Sequence, residues 1–335
     1  MLDTNTLLKL KDKKNLLAFS AGVDSTALFF ILQENNIKFD IAIVDYKIRE
    51  QSKEEVAYAK ELASQNNLKC HIHNAKKIEK NFESSAREIR YNFFEELISS
   101  YKYDNLLTAH HLGDRFEWML MQFCKGAGCV ELAGIKSIEQ RDSYQLLRPL
   151  LHLDKSELLK FLNTQNIKYF QDKSNLNEDI KRNSFRHNYA SPLLEKYLSG
   201  IKKSFNYLDE DRENLLEKIE IKTINEFAYF KNSQNQRANI YTIDKYLKSK
   251  KHLLSASERK LLKNKNTAIV GRKFLVSKNE SFIFIAPYLS LKSSMSHKFK
   301  EECRLFKIEP KLRHYLYQDE KAFLKVKELY KKSIE

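Results

Sequence analysis

The segment from Leu16 to Leu32 constrains the fold of this chain more than any other. It reads Leu-Leu-Ala-Phe-Ser-Ala-Gly-Val-Asp-Ser and continues Thr-Ala-Leu-Phe-Phe-Ile-Leu. The first apolar residues predict a buried strand, Ser20–Ser25 a tight turn, and the following apolar run a buried helix. Strand, turn and helix in that order make an anion-binding nest. Backbone N–H groups of the turn (Ser20, Ala21, Gly22, Val23, Asp24 and Ser25) converge on one point, with a helix dipole behind them. Gly22 lets the backbone come close to a ligand, and the hydroxyls of Ser20 and Ser25 can add hydrogen bonds to phosphate oxygens. No Gly-Lys-Ser/Thr follows, which excludes the P-loop of kinases and GTPases. The same six residues also suit an ordinary strand-to-helix turn, so the loop alone leaves both readings open.

The rest of the first half repeats the pattern. Strands are predicted at Asn15–Ser20, Phe39–Asp45, Leu68–His73 and Asn105–Ala109, and helices at Ser25–Asn35, Ser52–Asn66, Ser84–Ser100 and Asp114–Cys124. This alternation predicts an α/β fold with a doubly wound, mainly parallel sheet. Such sheets bind ligands beyond the carboxyl ends of their strands. There the chain places Ser20–Ser25, Asp45 and the pair His110, His111. Further helices are expected at Lys155–Gln165 and around Asn183–Leu198. The charge-rich stretch Ser199–Phe230 reads as one connecting helix. After it come short helices at Asp244–Lys250 and Ser255–Lys263, then three small strands at Thr267–Val270, Lys273–Ser277 and Ser281–Ala286. The fold from about Lys292 onward stays open. At 335 residues the chain suits two domains, drawn at 1–200 and 201–335.

Charge divides the chain in the same way. Residues 1–200 hold 29 Lys and Arg against 27 Asp and Glu, whereas residues 231–300 hold 16 against 3. A positive field of this size calls for a polyanionic partner, nucleic acid before membrane, or marks a lysine-rich solvated surface. No apolar run reaches the ~18 residues of a membrane span, and the first residues lack the pattern of a secretory signal. The four cysteines form no Cys-x-x-Cys pair, which fits reduced thiols in the cytosol.

Several other segments could carry chemistry. Asp45, at the end of the second strand, suits Mg2+ or a ribose, or a turn. Arg87 and Arg90 share a helix face, either for phosphate or for surface ion pairs. His110 and His111 are adjacent and point to opposite sides of an extended chain, poorly placed to share a metal. Asp114 and Glu117, at i and i+3, offer two carboxylates to a cationic amine, or complement a helix dipole. Arg182 and Arg186, at i and i+4, share another helix face, just after the turn-forming Asp172-Lys173-Ser174-Asn175. Cys70-His71-Ile72-His73 reads as half-buried strand surface.

Taken in order, these segments resemble the tRNA(Ile)-lysidine synthetases of bacteria, ATP pyrophosphatases of the PP-loop class. The resemblance rests on Ser20–Ser25; Asp45 with Arg49, Ser52 and Glu55; Ala86-Arg87 with Arg90-Tyr91; Ala109–Glu117; Gly126-Ala127-Gly128; Arg148-Pro149-Leu150; and Asp172 to Arg186. It covers about residues 15–190. Three departures stand out: Ala21 replaces a loop glycine, Tyr46 a histidine, and Gly113 the first Asp of an Asp-Asp pair. Arg115 also replaces a glutamine. The resemblance implies a PP-loop, adenine nucleotide alpha hydrolase-like fold and a two-step ligase reaction. ATP adenylates the wobble cytidine of a tRNA(Ile) with a CAU anticodon, and free L-lysine then displaces AMP. It implies that Ser20–Ser25 and Asp45 bind ATP, with Asp24 holding Mg2+. Arg90, Arg182 and His110 neutralise phosphate charge in adenylation, and Asp114 and Glu117 receive the lysine ammonium. No membrane and no protein partner is called for. A tRNA thiolase of the same class, or an RNA-binding protein with a vestigial loop, are the alternatives. The lack of Cys-x-x-Cys weighs against thiolation.

Overall fold

The computed structural model describes residues 1–48, 50–78, 81–171, 179–215, 219–289 and 294–331. The chain divides between Arg212 and Glu213 into two compact units.

In the first unit the alternation of apolar strands and helices builds one sheet. Its strands are β1 (Asn15–Ala18), β2 (Phe39–Asp45), β3 (Cys70–Asn74), β4 (Asn105–Leu107), β5 (Ile138–Gln140) and β6 (Gln145–Leu147). They lie in the order β3-β2-β1-β4-β6-β5. Every pair is parallel except β5 with β6. The helices are α1 (Thr4–Leu10), α2 (Val23–Glu34), α3 (Gln51–Gln65), α4 (Phe82–Tyr101), α5 (Leu112–Phe123), α6 (Cys129–Leu132), α7 (Lys155–Thr164), α8 (Lys181–Phe185) and α9 (Ser191–Leu215). A π-helical turn, Arg186–Ala190, joins the last two.

Successive strand residues point to opposite faces of a sheet, and the core follows that rule. Leu17, Ile41, Ile43, Leu107 and Leu147 face α2, α3 and α7. Their neighbours Leu16, Ala42, Leu106 and Leu146 face Phe93, Phe94, Leu97 and Ile98 of α4. The doubly wound sheet is therefore present. Its order reverses between β1 and β4, the crevice where such sheets take ligands. The turn after β1 and the segment after β4 flank it. Position 200, the boundary drawn from composition, lies inside α9.

The second unit has its own sheet of β7 (Lys222–Ile224), β8 (Phe227–Lys231), β9 (Thr267–Val270), β10 (Phe274–Lys278) and β11 (Phe282–Pro287). The order is β7-β8-β11-β10-β9, antiparallel throughout. Helices α10 (Gln236–Ser249) and α11 (Ala256–Asn264) cover one face. The other carries α12 (His297–Leu305), α13 (Pro310–Gln318) and α14 (Glu320–Lys331). The three small strands expected in this half are β9, β10 and β11. The single helix expected over Ser199–Phe230 is not formed: Lys222–Ile224 and Phe227–Lys231 within that stretch are strands, the second of them interior to the sheet. Phe227 and Tyr229 face one helical layer, Ala228 and Phe230 the other, so burial on both faces removes the period-2 signal.

Candidate active site

The turn after β1 takes the form its sequence requires. Ala21 has φ +56, in the left-handed region, and is fully buried. Its carbonyl accepts the Phe170 N–H at 2.9 Å, which ties the loop to residue 170. Gly22 is the N-cap of α2, with φ −75 and ψ 170 and no side chain capping the helix. Gly22 has no side chain to satisfy the first N–H groups of α2, which lack intrahelical acceptors. A Cβ at Gly22 would stand 3.5 Å from Ser20 Oγ and 4.0 Å from the Phe170 carbonyl oxygen, ordinary contact distances. Neither φ nor crowding from the chain demands glycine there.

Ser25 is buried, and its hydroxyl is used inside the loop. It accepts the Ser20 N–H at 3.2 Å, lies 3.1 Å from Ser20 Oγ and donates to the Gly22 carbonyl at 3.3 Å. Ser25 therefore shapes the nest rather than offering its hydroxyl to a ligand; Ser20 is exposed. Val23 is buried and anchors the turn in the core. Asp45 ends β2, next to β1, and its Oδ1 accepts the Lys47 N–H at 2.8 Å, so that oxygen serves a turn.

Asp24 stands in the first turn of α2. Burial pushes its carboxyl up, and among the described residues its Oδ1 is buried without a hydrogen-bond partner. A buried, unpartnered carboxylate oxygen beside an uncapped helix start is the donor chemistry that a hard cation such as Mg2+ takes. Its other oxygen faces His111, whose Nε2 lies 3.8 Å from Asp24 Oδ2 and 3.7 Å from Asp114 Oδ2. The two carboxylates thus lie within about 7.5 Å of each other across one ring atom.

Sequence reasoning gives His111 no role of its own. It caps α5: Nδ1 accepts the Gly113 N–H at 3.0 Å, and Asp114 Oδ2 accepts the His111 N–H at 3.0 Å. With Nδ1 an acceptor, the neutral ring carries its proton on Nε2, towards the two carboxylates. Gly113 makes this possible. A Cβ there would stand 2.7 Å from His111 Cε1, so any side chain at 113 must displace the ring. The departure at 113 is the sequence signal that points here.

Asp114 and Glu117 meet Arg182 and Arg186. Arg182 donates to Asp114 Oδ1 at 2.6 Å and to Glu117 Oε2 at 3.1 Å. Arg186 donates to Glu117 Oε1 at 2.5 Å and Oε2 at 3.1 Å, and its Nη2 reaches Asp114 Oδ1 at 3.5 Å. The two spacings do set each pair on one helix face. Asp114 and Glu117, expected to receive an ammonium, and Arg182, expected to meet phosphate, are paired with one another in this conformation. Burial works to raise the Asp114 carboxyl, yet His111 and Arg182 beside it hold it well below the usual carboxylate range. The helices meet because Leu112 and Phe116 of α5 pack on Ala190, Leu194 and Phe205.

His110 lies alongside, its Nδ1 2.9 Å from Thr108 Oγ1. Burial pushes its imidazole down to about 4, with Arg148, Arg182 and Arg87 adding to the effect against Asp114. It is neutral near pH 7 in the protein alone, so it enters as a hydrogen-bonding group rather than as the cation expected. Arg87 and Arg90 lie on α4, Arg87 exposed. Arg87 stacks on Tyr91, 4.6 Å from the ring centroid, and the field of Arg90 reaches Tyr46. Tyr46, standing in for a histidine, donates to the Ala86 carbonyl at 2.9 Å and holds α4 to the end of β2. Arg148 is buried and donates to the Lys136 carbonyl at 2.7 Å and to Glu139 at 3.1 Å. Arg49 and Asp172–Asn175 lie outside the described residues.

Comparison with known proteins identifies the family. Residues 3–193 match the family described as "PP-loop domain". A tRNA(Ile)-lysidine synthase of Helicobacter pylori is 42% identical over 321 residues, covering 95% of this chain and 94% of the relative. One of Campylobacter jejuni is 42% identical over 311 residues, covering 93% and 94%. Among solved structures, the U34-tRNA thiolase NcsA of Methanococcus maripaludis superposes with a TM-score of 0.50 at 18% identity, over 63% of this chain and 76% of that one. That likeness is one of fold. With the sequence likeness running through both units, the chain belongs to the tRNA(Ile)-lysidine synthase family and carries that family's PP-loop domain in its first unit.

Proposed function

We propose that this protein forms lysidine at the wobble cytidine of a tRNA(Ile) with a CAU anticodon, using ATP and free L-lysine. In the first step the cytidine O2 attacks the α-phosphate of ATP, the bond from Pα to the bridging oxygen breaks, and pyrophosphate leaves. In the second the ε-amine of lysine, having lost a proton, attacks C2, and the C2–O bond breaks to release AMP. One observation carries the reading: the uncapped start of α2, with Gly22 free of any clash and a buried orphan oxygen of Asp24 beside it.

On this reading the N–H groups of Gly22–Ser25 bind the departing pyrophosphate and the α2 dipole favours its charge. Asp24 would hold Mg2+ there, and the bound ion would offset charge that grows on the leaving group. Arg90, with Arg87 beside it, adds guanidinium donors from α4, where charge-assisted hydrogen bonds to phosphate are strong. His110 holds a hydrogen bond without adding charge. Asp114 and Glu117 bind the lysine ammonium once a guanidinium yields its place, and Arg182 then turns to phosphate. Ala21 keeps the glycine-type backbone, so its departure leaves the nest intact. The substrates place the reaction in the cytoplasm; among the described residues no helix is long and apolar enough to cross a membrane.

The test is release of pyrophosphate from ATP in the presence of unmodified tRNA(Ile), followed by lysine-dependent release of AMP, with the cytidine gaining the mass of a lysyl group. Asp24→Asn is expected to fold normally and to lose pyrophosphate release. AMP release that ignores lysine, or a fully active Asp24→Asn, contradicts the assignment.

A further inference from the structure

Every oxygen of the two carboxylates expected to receive lysine already has a partner inside the protein. Asp114 Oδ1 takes Arg182 and Arg186, and Oδ2 takes the His111 N–H. Glu117 Oε1 takes Arg186, and Oε2 takes both arginines. Two guanidiniums pair with two carboxylates there, so an incoming ammonium meets acids that already hold cations. The two guanidiniums are not held equally. The Arg186 side chain is 19% exposed and binds Glu117 with two nitrogens, whereas Arg182 is 39% exposed and spans the two acids with one bond to each. Arg182 is the one that can leave.

A place for it to go lies close by. Asp114 and Asp24 lie 3.7 and 3.8 Å from the same His111 ring nitrogen, so the acid pair stands beside the start of α2. Phosphates bound at α2 bring several negative charges there, and arginine pairs with phosphate as readily as with carboxylate.

We propose that Arg182 is a resident cation in the lysine subsite, and that phosphates bound at the start of α2 draw it out and so open Asp114 and Glu117 to lysine. The proposal rests on the function assigned above and adds an order to it: nucleotide first, lysine second. Arg182 is then a positioning residue with two stations rather than a fixed phosphate ligand. The order has a chemical use, because it keeps the amine out until the phosphates are in place. By linkage, lysine must raise nucleotide affinity by the same factor as nucleotide raises lysine affinity.

The experiment is calorimetric titration of L-lysine into the full chain, alone and with saturating Mg2+ and α,β-methylene-ATP, an analogue whose reacting bond does not break. The wild type is expected to bind lysine at least tenfold more tightly with the analogue. Arg182→Gln is expected to bind lysine with the same affinity in both conditions, and Arg182→Lys to retain the dependence in weaker form. A purely structural Arg182 gives a different result, since its loss would weaken lysine binding in both conditions alike. The wild-type comparison stands by itself if a variant does not fold. Equal lysine affinity with and without the analogue overturns the proposal. So does analogue binding with no lysine binding in any protein. Failure of the wild type to bind the analogue overturns the nucleotide site itself, and the order with it.

Discussion

Residues 21 and 22 share one loop but are constrained by different things. Ala21 sits at φ +56, a conformation that costs an L-residue roughly 1–2 kcal/mol. Strain of this kind concentrates at functional sites. Gly22 sits at φ −75 with room for a methyl group, so its missing side chain relieves nothing in the protein. Gly22→Ala is therefore expected to fold and to differ in stability by no more than about 1 kcal/mol, because alanine restricts the unfolded chain but is the poorer N-cap. It is also expected to lose pyrophosphate release by about a hundredfold, the effect of shifting a reacting group by about an ångström. Thermal unfolding and steady-state kinetics on the same preparation check both halves. A destabilised variant of normal activity would show that the glycine serves the fold. The glycine at 113 works differently, since a Cβ there meets His111. A sequence displays both as glycines in motifs, and only the backbone angles and neighbours separate them.

Among the elements, those with an apolar period were legible. β2 runs over Phe39–Asp45 as its alternation requires, and α3, α4 and α7 differ from their expected spans by one or two residues. Elements fixed by tertiary contacts were not legible. α6 has four residues and no amphipathic pattern of its own. Arg115 holds it: Nε and Nη2 donate to the Ala133 carbonyl at 3.0 and 2.7 Å, and Nη2 reaches Asp209 of α9 at 2.7 Å. The guanidinium also lies 4.3 Å from the Phe205 ring centroid. The glutamine that Arg115 replaces has no such reach, and nothing in the sequence links positions 115 and 209. The ion-pair cluster shows the same limit. The spacing of 114 with 117, and of 182 with 186, was readable, but that the two faces meet was not. Arg115→Leu is expected to leave the buried Ala133 carbonyl unpaired, at about 1–3 kcal/mol. Hydrogen exchange at Leu132, Ala133 and Gly134 should then quicken about tenfold or more, with the strands of the second unit unchanged. Unaltered protection there would mean that α6 is held by packing alone.

Across the whole molecule the two units divide chemistry from charge. The first holds every residue of the candidate site, in a segment with 29 basic and 27 acidic residues over positions 1–200. The second contains residues 231–300, with 16 basic residues against 3 acidic. One of those acids, Asp244, is buried and paired with Lys248 and Arg259, so little negative charge on this stretch is free to offset the rest. Lys250, Lys251, Arg272 and Lys273 are exposed. If this unit follows the tRNA backbone, the double reversals Lys250→Glu with Lys251→Glu, and Arg272→Glu with Lys273→Glu, should each weaken tRNA binding. The loss should be alike for cognate and non-cognate tRNA, because bonds to phosphate carry no sequence information. Each phosphate pairing removed should also flatten the dependence of log K on log salt by about 0.7–0.9. ATP-analogue binding should not change, since no residue of the nucleotide site lies beyond Arg212. Filter binding across a salt series, with both tRNAs and all three proteins, gives these quantities together. Unchanged affinity and slope would make the basic stretch a solvated lysine surface and leave tRNA docking to the near-neutral first unit. A loss confined to the cognate tRNA would instead mean that these side chains read bases, a role that their charge alone does not supply.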